Sequence, residues 1–299
     1  MEHLIVGCIK DYDWYKIEPW VNSLKQSGYK GHVCILDGSA RPNDALEDKL
    51  TEEGVMYYRM TIDKPFNFMV SRFAMLYALL LDHKFDDINY IITTDVRDVI
   101  FQSDPSELMS DSFYSPILVA SEGIAYKDEP WSRRNIQEVL GPPIYERLKH
   151  SGIICAGVIG GGRECFEQLC FTIYTMCMGL QQYPKGGGGP DQSVLNYILN
   201  TRPWRNGQVQ TTSHILHAGT TPDAVMSFSG DIGLEYQNAE DRIAYMKKFD
   251  SLYMGYRTEL RDGKVWNLTA NKPFTILHQY DRVNEWKNLD QQYRKNNNA

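Results

Sequence analysis

Long apolar runs, paired cysteines, glycine-rich phosphate motifs and an excess of basic charge are all missing from this chain, and each absence closes a class of function. No run of about 18 apolar residues is available to cross a membrane as a helix. The opening Met1-Glu-His-Leu-Ile-Val-Gly-Cys-Ile-Lys10 holds a short apolar run broken at once by charge, unlike a secretory signal, so the expected location is cytoplasmic. The six cysteines (Cys8, Cys34, Cys155, Cys165, Cys170, Cys177) form no Cys-x-x-Cys pair and no zinc-finger spacing. They are expected to be reduced, buried small hydrophobes. No Gly-x-Gly-x-x-Gly follows the first predicted strand and no Gly-x-x-x-x-Gly-Lys occurs, which removes the dinucleotide fingerprint and the P-loop. A net charge of -7 argues against nucleic acid as the main partner.

What the chain does hold is enough apolar residue for a core, 42% of 299 residues, with β and α patterns in alternation. Strands are expected at 4–9, 32–37 and 55–60, with helices at 14–27, 41–53 and 67–83 between and after them. Units of this length imply a parallel sheet with right-handed crossovers. Further on come a strand at 116–122, a helical stretch at 131–149 broken at Gly141-Pro-Pro143, and a glycine-bearing strand at 151–162. A helix at 163–183 rich in Cys, Met and aromatics leads to Pro184-Lys-Gly-Gly-Gly-Gly189, a flexible loop or a close backbone approach to substrate. The next helix starts at Pro190-Asp-Gln-Ser193. Beyond Asn200, short strands at 208–212, 214–217, 225–228, 264–268 and 274–277 and a helix at 239–249 suggest a mixed extension of the same sheet. No linker divides the chain, so residues 1–299 are expected to form one domain ending in a polar tail.

The most informative stretch is Asn89-Tyr-Ile-Ile-Thr-Thr-Asp-Val-Arg-Asp98, a buried strand running into carboxylates. Ligands of open α/β sheets bind beyond the carboxyl ends of the strands, so Asp95 is placed in a binding crevice. Asp98 joins it if the chain turns at Arg97, and faces the other way if the strand continues. Two carboxylates so close repel unless a cation or proton lies between them, and oxygen ligands suit Mg²⁺ or Mn²⁺. Asp104, before Pro105, is a helix-start residue. Glu122 ends a strand and enters the same crevice or a solvated loop. Asp191 sits at a helix N-terminus, where a carboxylate is favoured without any further role.

Four features in order resemble a nucleotide-sugar glycosyltransferase of the GT-A fold: Thr94-Asp-Val-Arg-Asp98, Cys155-Ala-Gly-Val158, Asp191-Gln192, and the late histidine of Ile276-Leu-His-Gln-Tyr-Asp-Arg282. The family's Asp-x-Asp is varied here, with Arg97 at the third position and the second acid one place later. The resemblance implies an α/β fold with a Rossmann-type mixed sheet flanked by helices and a smaller mixed C-terminal extension. It further implies a nucleotide-binding half at 1–104 and an acceptor-binding, metal-completing half at 105–285. A Mn²⁺ or Mg²⁺ ion on Asp95, Asp98 and a late histidine is expected, His278 being the first candidate and His217 the competitor. The nucleotide is expected against Gly7, Cys8, Ile9 and Lys10, with Asp37 and Arg72 near. Ala156 and Gly157 are expected to offer backbone groups to the donor sugar, and Arg282 and Arg97 to carry charge at the diphosphate.

The chemistry so implied is transfer of a sugar from a nucleoside-diphosphate sugar to a hydroxyl of a glycan or glycoconjugate. An inverting reaction would take Asp191 or Glu122 as base; in a retaining one Asp191 would orient a substrate. A metal-dependent nucleotidyltransferase or phosphohydrolase, and a non-catalytic carbohydrate-binding protein, are the competing classes.

Overall fold

The computed structural model describes residues 2–60, 67–110, 117–180, 189–201, 209–224 and 239–295. The first half alternates as expected: β1 (Glu2–Ile9), α1 (Trp14–Gln26), β2 (His32–Asp37), α2 (Asp44–Glu52), β3 (Met56–Arg59), α3 (Phe68–Leu80) and β4 (Ile88–Thr94). A short strand, β5 (Val99–Phe101), and α4 (Ser106–Ser110) come next, then β6 (Ile117–Ala125), α5 (Pro130–Leu140), α6 (Pro142–Leu148) and β7 (Gly152–Gly162). The remainder comprises α7 (Arg163–Met178), α8 (Asp191–Leu199), β8 (Val209–Thr211), β9 (Ile215–His217), α9 (Ala239–Leu252), β10 (Thr258–Arg261), β11 (Lys264–Asn267), β12 (Lys272–Pro273) and β13 (Ile276–His278). The expected strand at 225–228 and the first glycines of the 184–189 loop lie outside the described residues.

The central sheet has the order β3-β2-β1-β4-β7-β6-β8. Strands β3, β2, β1 and β4 run parallel, β7 returns antiparallel between β4 and β6, and β8 lies parallel to β6. Helices on both faces bury the parallel strands twice over, which is why β1 reads as a near-continuous apolar run. Ile5 and Ile9 pack with Ile17, Trp20, Val21 and Leu24 of α1. Leu4, Val6 and Cys8 pack on the other face with α3 and α7. Helix starts follow capping chemistry: Asp13 accepts a hydrogen bond from the Lys16 N–H at 3.1 Å, and Asn67 from the Met69 N–H at 2.9 Å. No helix among the described residues is long and apolar enough to cross a membrane.

The C-terminal region corrects one expectation. Among the described residues, β8 alone of its strands extends the central sheet; the others join two separate three-stranded sheets, β5-β13-β9 and β10-β11-β12. Strands β10, β12 and β5 are absent from the sequence reading; of these β5, which starts immediately after Asp98, bears on the site. Its Val99-Ile100-Phe101 triplet is fully buried and pairs antiparallel with β13, placing Val99 opposite His278. On the other side β13 runs parallel to β9, placing His278 opposite His217. A strand of three residues is too short for a period-2 signal, so sequence gives little warning of it.

Gln102, just beyond β5, ties these small sheets together. Its amide nitrogen donates to the carbonyls of Val265 (3.0 Å) and Phe274 (2.8 Å), and its Oε1 accepts from the Val265 N–H (2.7 Å). Gln102→Leu would leave three buried backbone groups without that partner, and is expected to cost about 3 kcal/mol in urea unfolding. A loss below about 1 kcal/mol would show that water or backbone rearrangement replaces the amide.

Candidate functional site

At the carboxyl end of β4 the chain is fastened on both sides. Trp20 Nε1 donates to Thr94 Oγ1 at 2.8 Å, and the Asp95 N–H donates to the Gly157 carbonyl at 2.7 Å. The chain then turns through Val96 and Arg97 into β5, and this turn brings Asp98 beside Asp95. The question left by sequence is answered here: ligand atoms of Asp95, Asp98 and His278 all lie within 4.8 Å of one another. His278 Nε2 is 3.3 Å from Asp95 Oδ2 and 3.8 Å from Asp98 Oδ1, and is a buried nitrogen with no hydrogen bond. Gln279, next in the chain, has a left-handed backbone (φ 59°) and donates its N–H to the Asp98 carbonyl at 2.7 Å, which locks the turn after His278. Gly157 is required for the same reason, since a Cβ there would run into the His278 ring.

His217, the competing candidate, is the neighbour of His278. Its Nδ1 lies 2.7 Å from His278 Nδ1, with the rings nearly perpendicular. Burial and the adjacent His278 depress the basicity of His217 well below the usual histidine range, so it is neutral and accepts the Nδ1 proton of His278. Burial also disfavours charge on His278, yet the Cys155 sulfur and the carboxylates of Asp95 and Asp98 outweigh it and raise its pKa well above normal. Without a cation, an imidazolium therefore balances the acids.

Behind Asp95 lies a buried ionic network centred on Arg72 of α3. One guanidinium nitrogen reaches Asp95 Oδ1 at 2.5 Å; the other reaches Asp191 Oδ2 at 2.6 Å and the Ala156 carbonyl at 3.0 Å. Burial pushes the Asp95 carboxyl up, but Arg72 and His278 prevail and hold it at about 2. For Asp191 burial prevails over Arg72, and the pKa is raised. Burial and the nearby Asp95 likewise raise Asp98, despite a 3.3 Å contact with Arg97. Arg97 is half-exposed and also lies 3.7 Å from Asp281.

Several of the expected site residues have partners within the protein. Arg72 is the shared counter-ion of Asp95 and Asp191, and its charge is also felt by Cys8 near the end of β1. Gly7 faces the side chains of Val96, Ile35 and Trp20, so it is a packing residue. Cys8 and Ile9 are buried in opposite faces of the sheet, and only Lys10 is exposed. The Asp37 carboxylate is engaged by the Ser39 N–H (2.8 Å), the Ser39 hydroxyl and the Tyr57 hydroxyl (2.7 Å). The Ala156 carbonyl is held by Arg72, the Ala156 N–H donates to Gln192 Oε1 at 3.3 Å, and the Gly157 carbonyl is held by Asp95. These backbone groups are already bonded within the protein.

Next to the acids opens a cavity of about 260 Å³, lined by Glu122, Glu129, Trp131, Gln192, Gln279 and Arg282 among others. Glu122 lies within β6 rather than at its end. Burial, with repulsion from Glu129, pushes it up to about 7, and Gln192 Nε2 donates to it at 3.1 Å. Asp191 is not among the lining residues. Glu129, Trp131 and Gln279 were missed from sequence. Glu129 had a visible signal of another kind, an acid before Pro130, and it does cap α5 by accepting from the N–H groups of Trp131 (3.1 Å) and Ser132 (2.5 Å).

No protein-family model and no curated protein matches the chain. Solved structures do. The apo structure of the bifunctional glycosyltransferase WbbM aligns with a TM-score of 0.52 at 9% identity, over 88% of this chain and 47% of its own. The glycosyltransferase GlyE of Streptococcus pneumoniae TIGR4 aligns with a TM-score of 0.52 at 15% identity, over 98% of this chain and 60% of its own. The fold is that of glycosyltransferases. The chain spans about half of WbbM and three-fifths of GlyE, and the likeness is one of backbone architecture.

Arg72→Met would leave Asp95 and Asp191 buried against each other, and is expected to lower stability by about 3–5 kcal/mol in chemical denaturation. Adding Asp191→Asn should recover part of the loss. Equal loss in the single and double variants would mean that Arg72 stabilises through packing and not as a counter-ion.

Proposed function

We propose that the chain is a metal-dependent glycosyltransferase, moving a sugar from a nucleoside-diphosphate sugar to a hydroxyl of a glycan or glycoconjugate. The observation that carries this reading is the buried Nε2 of His278 facing the carboxylates of Asp95 (3.3 Å) and Asp98 (3.8 Å), beside a cavity on a glycosyltransferase fold. One nitrogen and two carboxylates form a donor set that accepts Mn²⁺ or Mg²⁺, and Asp95, Asp98 and His278 would hold it. When bound, the cation supplies Lewis-acid stabilisation of the leaving diphosphate.

The protein's own residues supply the rest. Arg282 lines the cavity and Arg97 lies against Asp98, which supports the reading that both add fixed positive charge where the diphosphate forms. Arg72 keeps Asp95 ionised and oriented. For an inverting reaction Glu122 is better supported as base than Asp191, since Glu122 faces the cavity and Asp191 is tied to Arg72. In a retaining reaction Glu122 would instead orient a substrate hydroxyl. Lys10 is the exposed group at the end of β1 for a nucleotide bound along residues 1–104.

Nucleoside-diphosphate sugars with Mn²⁺ should raise the melting temperature of the native chain, and Asp95→Ala should abolish the shift. Absence of a shift with every nucleoside diphosphate and sugar nucleotide would refute the proposed function. Equal shifts in Asp95→Ala would refute the site alone.

A base must be deprotonated, and Glu122 titrates near 7 in the folded protein, so transfer should rise with pH through that value. Glu122→Gln should lower kcat by about 100-fold and remove that limb of the profile. A pH profile unchanged in Glu122→Gln would place the base elsewhere.

A further inference from the structure

The cavity leads to a second group of donors that shares only His278 with the proposed transfer chemistry. Cys155 Sγ, His217 and His278 present ligand atoms within 4.8 Å of one another, and all three residues are buried. We propose that they form a soft-metal site for Zn²⁺, which excludes the hard cation from Asp95, Asp98 and His278.

Ligand type and geometry support it. Zn²⁺ takes thiolate and imidazole in tetrahedral sites, with Zn–S about 2.3 Å and Zn–N about 2.0 Å. Those lengths put a sulfur roughly 3.5 Å and a second nitrogen roughly 3.3 Å from the first nitrogen. Cys155 Sγ lies 3.6 Å from His278 Nδ1, already at the required spacing. The His217 and His278 Nδ1 atoms, 2.7 Å apart, are at hydrogen-bond distance. Replacing their shared proton by a cation requires them to part by roughly 0.6 Å.

The surroundings suit a metal as well. Burial raises the Cys155 thiol to about 11, opposed by His278 and by the Gly157 N–H, which donates to Cys155 Sγ at 3.5 Å, so the metal itself must displace the proton. Cys155 lines the cavity together with Glu122, which gives the ion a route in and leaves a fourth position for water or the Glu122 carboxylate. His278 would bind Zn²⁺ through Nδ1 and keep its Nε2 proton, directed at Asp95 Oδ2 3.3 Å away. A carboxylate on the far nitrogen of a zinc-bound histidine fixes the ring and strengthens the ligand.

The proton balance makes the two sites exclusive. Zn²⁺ displaces the Cys155 thiol proton and the Nδ1 proton of His278, both released to solvent. The hard cation needs Nε2 unprotonated, whereas the Zn²⁺ form keeps the proton there. Zn²⁺ thus withdraws His278 from the hard-cation site without blocking either aspartate. The consequence for catalysis rests on the glycosyltransferase reading; the binding of Zn²⁺ does not.

Co²⁺, the spectroscopic stand-in for Zn²⁺, tests the proposal on the chelator-treated full chain. One equivalent should give a thiolate-to-cobalt charge-transfer band and tetrahedral visible bands, both erased by one equivalent of Zn²⁺. Cys155→Ser should abolish the charge-transfer band and weaken Co²⁺ binding about tenfold or more, while Asp95→Ala retains the band. Cys165→Ser controls for the half-buried thiol elsewhere. His217→Gln, a milder change than alanine, should also weaken the tetrahedral spectrum. Mn²⁺ binding followed by electron paramagnetic resonance should be lost on adding one equivalent of Zn²⁺. A charge-transfer band that persists in Cys155→Ser, its absence in the native chain, or simultaneous full occupancy by Mn²⁺ and Zn²⁺ would overturn the proposal. Failure of Mn²⁺ to bind the native chain, with the cobalt–thiolate spectrum intact, would defeat the transfer reading and leave the soft-metal site standing.

Discussion

Everything at the carboxyl end of β4 depends on how one buried guanidinium is shared. Asp191 is buried and Asp95 partly so, with 32% of its side chain exposed, and loss of solvation pushes both carboxylates towards neutrality. Arg72 lies between them and gives its two terminal nitrogens to one acid each. The division is unequal in effect: Asp95 also faces His278 and is held at about 2, while burial raises Asp191. A carboxylate kept ionised in the interior is what a cation site requires. Arg72 thus keeps Asp95 charged from behind, leaving its other oxygen towards His278.

A second constraint is strand register. His278 reaches the acids because β13 pairs with β5 on one side and β9 on the other, and a slip of one residue would turn its ring to the opposite face. Gly157 on β7 leaves the space the ring occupies, and Gln279 takes a left-handed backbone to close the turn behind it. These are contributions from three separate stretches of chain to the position of one imidazole. The same convergence places Cys155 and His217 against its other nitrogen.

Much of this was legible in sequence, and the limits have physical causes. The parallel half was readable because buried strands and amphipathic helices carry strong periodic signals, and Asp95 followed from its place at a strand end. His278 came from resemblance, since nothing local distinguishes it from a satisfied core histidine. Whether Asp98 joins Asp95 hinged on β5, three residues whose strand character comes from pairing with β13, a partner some 175 residues away in sequence. That Arg72 meets Asp95 and Asp191 could not be read, because a lone arginine on an apolar helix does not reveal which acid it meets. Trp131 and Gln279 became site residues only when the cavity closed around them. The Cys155 group was invisible because its donors come from β7, β9 and β13, with no spacing for a motif to record.

The placement of β13 also bears on when the site comes into being during synthesis. The acids emerge with β4, Cys155 with β7 and His217 with β9, but β13 follows all of them. A growing chain that has folded its parallel sheet holds clustered carboxylates without the nitrogen that completes the centre. Strand β13 must then insert between β5 and β9, joining two segments separated by more than a hundred residues. During synthesis the carboxylates are therefore present before His278, and a chain truncated before β13 would lack that histidine.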